Sequence, residues 1–183
     1  MFTVAIAGLV LLIVVIWIIC ICNAIMKLCS LKEEGWSGMW GQLKRRHDLV
    51  GSLVKCVTGY MVHERGALNE VIRHRANSRR AKTVHESIVA ESGLVGALGR
   101  LFAAMENYPD LKNNANLLDL QNTLENLERE LQIARRYYNS TVRDLNIFIQ
   151  TFPANMVARQ FGFAEAEYFE LNNTVEEASS AGL

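Results

Sequence analysis

The sequence predicts an all-α protein in which an N-terminal transmembrane helix precedes a body of long helices. Three observations predict this class: residues 2–22 carry no charge, apolar residues recur at helical spacing through most of the remaining chain, and only 2 of 183 residues are proline. A β-rich domain of this length would need more turn-forming residues. Because half of the residues are hydrophobic, the chain can build a real core, and general disorder is excluded.

The uncharged run at the start is long enough to cross a bilayer, because about 20 apolar residues span roughly 30 Å of hydrocarbon. A cleaved signal peptide would instead have basic residues before a shorter apolar core and small residues at its end. No Lys or Arg precedes this run, and no small-residue cleavage pattern closes it. We therefore expect an uncleaved anchor over residues 1–26.

The orientation of the anchor is predicted from basic residues near its ends. None lies on the N-terminal side, whereas Lys27 and Lys32 follow the run, with Lys44, Arg45 and Arg46 a little beyond. Loops rich in Lys and Arg stay on the cytoplasmic side. We expect a single-pass protein with its body, residues 27–170, in the cytoplasm and its N-terminus outside.

The first helix of the body is expected from Leu43 to Ile72, where apolar residues follow steps of three, four and seven. A break is expected around Gly35 to Gly41, which includes three glycines, and residues 74–82 are expected to form a solvated connection. The second helix is predicted from about Val84 to Asn107. It stops before Pro109, because a residue that precedes proline avoids the α region.

The third helix is predicted to be the longest, from about Asn116 to Thr151, with Asp110 or Asn113 as candidate caps. Its apolar positions run from Leu120 to Phe152 in alternating steps of four and three, which is a coiled-coil seam sustained over four heptads. Pro153 ends it. A short amphipathic segment is expected over residues 154–169, and a disordered tail over 171–183.

The charges are unevenly distributed although the net charge is zero. The first 85 residues carry 12 basic and 5 acidic side chains, and the remainder carries 7 and 14. A zero net charge argues against a surface devoted to nucleic acid. We expect the basic first helix to pack beside the acidic later helices, and a head-to-tail contact between subunits is the alternative.

Two groups of polar residues and one aromatic pair are the candidate site residues. The polar groups are Lys44, Arg45, Arg46 and Asp48 on the first helix, and Arg136, Asn139, Arg143 and Asp144 on the third, with Arg135 beside them. They are interpreted as interhelical ion pairs or as a patch for an anionic partner or a lipid headgroup. Trp36 and Trp40 are candidate membrane-interface residues, and core packing is the alternative.

Catalytic and metal-binding patterns are not found in the sequence. His63, His74 and His85 would share a helix face but would lie ~16 Å apart, too far for one metal ion. The phosphate-binding loop, the nucleophile elbow and the zinc-protease helix motif do not occur. We expect no metal, no cofactor and no enzymatic activity.

Three stretches, 41–64, 101–146 and 152–170, resemble the LemA family of bacterial membrane proteins. The resemblance is carried by LKRR, the ENYPDLK loop, the ARRYYN run and the final FGF with EYFE, and it covers nearly all of residues 36–170. It implies long antiparallel helices behind one membrane anchor in the bacterial inner membrane, and it implies no agreed reaction. Family members more often show other residue pairs where this chain has Cys22-Asn23 and Gly35-Trp36.

Two functions are consistent with these features. The first is a membrane-anchored, non-enzymatic helical scaffold that self-associates at the bacterial inner membrane, with a role in membrane organisation or stress response. Its partners would be the lipid bilayer and further copies of itself. The second is an accessory or signalling module that binds another protein through the aromatic C-terminal segment or the basic first helix. Neither hypothesis includes nucleic acid as a partner.

Overall fold

The computed structural model describes residues 1–61 and 63–171, without the side chain of Lys112. Within these ranges all regular structure is helical, which confirms the predicted all-α class. The helices are α1 (Phe2–Thr58), α2 (Arg65–Arg80), α3 (Val84–Met105), α4 (Pro109–Lys112), α5 (Ala115–Gln150) and α6 (Ala154–Phe161). Apart from Leu171, the predicted tail lies outside the described residues.

The chain forms two compact units. The first unit consists of Met1–Ser37 and Arg136–Tyr168, and the second consists of Gly38–Arg135 together with the chain from Phe169 onward. Helices α1 and α5 each contribute one end to each unit.

Helix α1 runs without interruption through Gly35, Gly38 and Gly41, so the predicted break is wrong. A glycine weakens a helix by only about 0.5–1 kcal/mol relative to alanine, and the burial of Met39 and Leu43 on this stretch outweighs that cost. The helix ends at Thr58, after which the N–H groups of Tyr60 and Met61 both bond to the carbonyl of Val57. The predicted single helix from Leu43 to Ile72 is therefore divided into α1 and α2.

Helix α2 occupies most of the segment that was expected to be a connection. It continues to Arg80 because Leu68, Val71 and Ser78 are buried on one face, against α3. The connection shortens to Ala81–Thr83. Thr83 then caps α3: its hydroxyl oxygen accepts a bond of 3.1 Å from the N–H of Glu86.

The Glu86 carboxylate completes this capping box. It accepts bonds from the backbone N–H groups of Lys82, at 2.8 Å, and Thr83, at 3.3 Å. These two bonds lower the pKa of Glu86 below its usual value of 4.5.

Helices α3 and α5 lie close to their predicted bounds, and the cap of α5 differs. The side-chain oxygen of Asn114 accepts bonds from the N–H groups of Asn116 and Leu117, at 3.0 and 3.3 Å. Asn114 is therefore the capping residue, and not Asp110 or Asn113, because α5 begins at the next residue, Ala115. The core of the second unit includes apolar residues from each of α1 to α5, among them Val57, Val71, Leu94, Leu111 and Leu117.

The first unit has a separate core at the N-terminal side of α1. Its buried members are Ile21, Ile25, Leu145, Ile149, Ala154, Val157 and Ala158. Further toward the C-terminal end of α1, Gly35 faces Tyr138 so closely that a Cβ on Gly35 would lie 3.3 Å from the Cα of Tyr138. Since residues closer to the start of α1 meet residues closer to the end of α5, the two helices run antiparallel in this unit.

The chain after α6 returns along α5 without regular structure. Gly162 allows the reversal, because its φ of 74° lies in the left-handed region that favours glycine. The side-chain amide of Asn146 then makes two bonds to the backbone of Ala166, and the hydroxyl of Tyr138 donates to the carbonyl of Glu167 at 2.9 Å. Burial raises the pKa of Tyr138 to about 12, and the charge of Glu167 adds to the shift.

Two helices of the described chain are long and apolar enough to cross a membrane, α1 and α3. The N-terminal part of α1 exposes its large side chains from Phe2 to Trp17. By contrast, α3 buries seven residues, including Glu91, inside the second unit. The candidate membrane helix is therefore α1, whereas α3 belongs to the core of the second unit.

Candidate functional site

A cluster of charged side chains is buried in the second unit where α1 meets α3. Arg46 and His47 of α1 and Glu91 of α3 are each at most 5% exposed. Nη1 of Arg46 lies 3.3 Å from Oε2 of Glu91, and Nε2 of His47 lies 2.6 Å from Oε1. Both carboxylate oxygens of Glu91 therefore have a nitrogen partner, as a buried charge requires.

Two more helices contribute to this Glu91 cluster, which comprises Arg46, His47, Arg75, Glu91 and Glu128. Nη2 of Arg46 lies 3.3 Å from Oε2 of Glu128 on α5, and Nε of Arg75 on α2 donates to the backbone carbonyl of His47. The indole of Trp40 meets the imidazole of His47 edge-on, with ring centroids 6.5 Å apart. The cluster thus joins α1 to α2, α3 and α5 in one unit.

The Glu91 cluster has the chemistry of a structural network. His47 and Glu91 are enclosed and engaged with each other, so neither group is presented to a substrate as an acid or a base. Among residues 1–61 and 63–171, no three His, Cys, Asp or Glu side chains are grouped closely enough to hold a metal ion.

A groove lies beside the cluster in this unit. It has a volume of about 620 Å³ and is lined by residues of α3, α4 and α5, with Arg46 of α1 at one end. Its walls are apolar, with Leu98, Phe102 and Leu124 among the lining side chains, and the carboxylates of Glu106, Glu125 and Glu128 stand along it. Such a groove fits an apolar helix face flanked by basic residues.

The predicted polar residues of α1 have different environments. Lys44 and Asp48 are exposed. Arg45 is also exposed and pairs with Glu130 of α5 at 3.1 Å. Arg46 is buried in the Glu91 cluster. Both arginines therefore form the interhelical ion pairs that were one of the two interpretations.

The predicted polar residues of α5 lie in the first unit. Arg143 makes contacts within its own helix, at 3.4 Å to Asp144 and 3.2 Å to the hydroxyl of Ser140. Arg136 is exposed and Asn139 is half-buried. Whether either polar group binds an anionic partner or a lipid headgroup stays a prediction.

The two candidate interface tryptophans are both half-buried against aromatic rings. Trp36 packs on Tyr138 in the first unit, with centroids 5.5 Å apart, and Trp40 packs on His47 in the second. Contact of either ring with lipid stays a prediction.

Sequence reasoning missed His47 and Glu91, the centre of the cluster. The spacing of eleven singles out His63, His74 and His85 and leaves out His47. The signal was the helix face: Glu91 precedes Leu94 and Leu98 by three and seven residues, and His47 lies four after Leu43 and three before Val50. A charged residue on an apolar face indicates a buried partner.

Comparison with known proteins identifies one matching family model and several relatives. A family model described as the LemA family matches residues 35–180. Magnetosome protein MamQ 2 of Paramagnetospirillum magneticum is 35% identical over 81 residues, which is 44% of this chain and 30% of that protein. Protein LemA of Metamycoplasma hominis is 25% identical over 128 residues, which is 69% of this chain and 58% of that protein.

A third relative, magnetosome protein MamQ of Magnetospirillum gryphiswaldense, is 30% identical over 80 residues, 44% of this chain and 29% of that protein. The matches thus span under a third of the MamQ proteins and just over half of the mycoplasma protein.

Proposed function

Since the chain belongs to the LemA family, we propose that it acts as a membrane-anchored helical scaffold that self-associates. The protein is membrane-associated, and the uncharged N-terminal part of α1 has the length to cross a bilayer. The proposal places this single span in the bacterial inner membrane with the N-terminus outside. The second unit then lies in the cytoplasm, in agreement with the basic residues that follow the span.

The observation that carries self-association is the groove between α3 and α5. An apolar groove of about 620 Å³ leaves side chains such as Leu118, which is 45% exposed, in contact with water. Covering these side chains with a further helix would remove apolar surface from water, which favours association. Tethering to one membrane also raises the effective concentration of neighbouring copies.

The proposed occupant of the groove is helix α2 of a neighbouring copy. Exposed arginines at positions 65, 73, 79 and 80 make α2 strongly basic, and Ile72 among them is 48% exposed. The groove carries the carboxylates of Glu106 and Glu125, besides that of Glu128, which pairs with Arg46. Opposite charges on two different surfaces of one chain favour a head-to-tail contact, which builds rings or open rows of copies.

A charge-swap experiment tests this contact in the full-length protein in lipid nanodiscs. Glu125→Lys reverses a groove charge, and Arg79→Glu reverses a charge on α2. Each variant alone should give fewer cross-linked oligomers than the wild type, and a mixture of the two should regain them as mixed oligomers. Asp119→Lys, on α5 but outside the groove lining, is the control and should cross-link like the wild type. A strictly monomeric wild-type protein at micromolar concentration would contradict the proposal.

The second candidate function is an accessory module that binds another protein. The same groove favours it, because a basic amphipathic helix of any partner fits an acidic, apolar groove. Affinity capture from membranes distinguishes the two functions. Recovery of a distinct protein that Glu125→Lys abolishes, together with a failed charge-swap mixture, would favour the accessory module.

The proposed role is not enzymatic. His47 and Glu91 form the buried acid–base pair of the second unit, and both are occupied in holding α1 against α3. Arg46, which lines the groove, is likewise held by Glu91 and Glu128. These groups support the helices that form the groove.

A further inference from the structure

The end of α5, the turn after it and helix α6 carry large apolar side chains that the first unit does not cover. Phe152 is 74% exposed, Met156 64%, Phe161 59% and Ile147 55%. These four residues are called the apolar corner below. Between Phe152 and Ala166 the sequence contains two charged residues, Arg159 and Glu165, both exposed.

The position of the corner along the membrane normal follows from the core that α6 shares with α1. Ala154, Val157 and Ala158 of α6 are buried in the same core as Ile21 and Ile25, and the α1 residues packed against that core extend from Ile18 and Cys22 to Leu28 and Cys29. Ile18, Ile21 and Cys22 form the last turn of the uncharged run that spans the bilayer. Helix α6 therefore lies beside a part of α1 that is still in, or at the edge of, the hydrocarbon.

The position of Lys27, the first charged residue of α1, also indicates where α6 lies relative to the hydrocarbon. Lys27 lies nine residues after Ile18, which is about 13 Å along a helix axis. Since α5 runs antiparallel to α1 in this unit, the C-terminal end of α5 and the following Phe152 are directed toward the membrane side. The corner is thus placed beside the end of the uncharged run, at the level where α1 leaves the hydrocarbon.

We propose that the apolar corner inserts into the lipid bilayer, in the leaflet from which α1 emerges, as a second membrane contact of this chain. Short amphipathic segments lie in the interface with apolar side chains among the acyl chains and basic side chains near the phosphates. Phe152, Met156 and Phe161 supply the apolar part, and Arg159 supplies the cation. Continuity with the membrane helix identifies lipid, rather than a second copy, as the occupant.

This inference rests on the membrane placement of α1 in the proposed function and is independent of self-association. Its consequence is that the first unit is held to the bilayer at two points instead of one. A helix that crosses alone is free to tilt, whereas a second contact beside it restricts the tilt.

Tryptophan quenching in vesicles tests the inference with the full-length protein. Phe152→Trp and Phe161→Trp place reporters in the corner, and Ile133→Trp is the matched control, an exposed apolar residue of α5 far from the corner. The vesicles contain phosphatidylcholine and phosphatidylglycerol, with or without bromine near the carbonyl end of the acyl chains. The fluorescence of the added tryptophan is obtained by subtracting the wild-type signal from that of each variant. This fluorescence should be lower in brominated than in unbrominated vesicles for both corner variants, and should be equal in the two for the control.

The native Trp17 shows whether α1 itself is inserted, and so distinguishes a failure of the membrane helix from a failure of the corner. Quenching that is present in the wild type and lost in Trp17→Phe reports the insertion of α1. If Trp17 is quenched and the corner variants behave like Ile133→Trp, the inference is overturned while the membrane helix stands. If Trp17 is not quenched, both are overturned. Quenching of the corner variants that appears only after the vesicles are enriched in lipid would show that another copy covers the corner at lower ratios of lipid to protein, and would also overturn the inference.

Discussion

The imidazole of His47 lies 2.6 Å from the carboxylate of Glu91, with both side chains at most 2% exposed. The other oxygen of that carboxylate faces the guanidinium of Arg46 at 3.3 Å. One acidic residue on α3 therefore balances two nitrogen groups that lie next to each other on α1. A buried arrangement of this kind is sensitive to the loss of one member.

Glu91→Ala should strongly destabilise the second unit, by about 3–5 kcal/mol, because it leaves Arg46 buried without its counter-ion on α3. Glu130→Ala is the matched control, since it removes the exposed partner of Arg45 and should cost about 0–1 kcal/mol. Urea unfolding in detergent, followed by circular dichroism, measures both. Equal losses in the two variants would contradict the structural role of Glu91.

Asn146→Ala should destabilise the first unit by about 1–3 kcal/mol, because two backbone groups of Ala166 lose their partner. Hydrogen exchange at Ala166 should accelerate in the same variant. Asn126→Ala, at an exposed position of the same helix, should change stability by less than about 0.5 kcal/mol. Unchanged protection at Ala166 would show that Asn146 does not hold the returning segment.

Gly35→Leu should destabilise the protein by about 1–3 kcal/mol through overpacking, because even a Cβ at this position would lie 3.3 Å from the backbone of Tyr138. Gly38→Ala is the counterpart, since its Cβ meets nothing within 4 Å. It should raise helix stability by about 0.5–1 kcal/mol. Opposite shifts of the unfolding midpoint are expected, and a stabilising Gly35→Leu would contradict the close approach.

Thr83→Ala should cost about 1 kcal/mol, because it removes the hydroxyl that caps α3. The acidic partner adds a pH dependence. The pKa of Glu86 is lowered in the folded state. The ionised carboxylate therefore stabilises the fold at pH values above its usual pKa, and this stabilisation is lost as the pH falls through the pKa of the folded state. Glu86→Gln should therefore reduce the loss of stability between neutral and acid pH, as measured by unfolding at a series of pH values.

Tyr138 should remain protonated to unusually high pH. Its pKa rises from 10.0 to about 12, so the stability it contributes is full below pH 10 and is lost as the pH rises through about 12. The phenolate absorbance of the wild type minus that of Tyr138→Phe isolates this titration. A midpoint near 10 in the folded protein would contradict the buried environment.

Local chemistry predicted the elements whose ends depend on neighbouring residues. The predicted start of a helix at Val84 matches α3, and the ends of α3 and α5 precede Pro109 and Pro153 by a few residues. The long apolar seam of α5 likewise led to a helix of nearly the observed length, with Leu127, Tyr138 and Leu145 buried.

Features that depend on tertiary packing were not predicted. The glycines from Gly35 to Gly41 suggested a break, yet α1 continues through them because neighbouring side chains are buried. The polar residues around Ser78 suggested a loop, yet α2 packs there on α3. The Glu91 cluster joins residues 44 positions apart, and one sequence without aligned relatives does not report that pairing.

The bonds between Asn146 and Ala166 use a side chain at one end and only the main chain at the other. Mutational tolerance should therefore be asymmetric along the returning segment. Position 166 can exchange its methyl group for other small side chains without losing the attachment, whereas position 146 must keep a group that both donates and accepts. A deep mutational scan would find that the returning segment around position 166 tolerates many substitutions, whereas position 146 tolerates few.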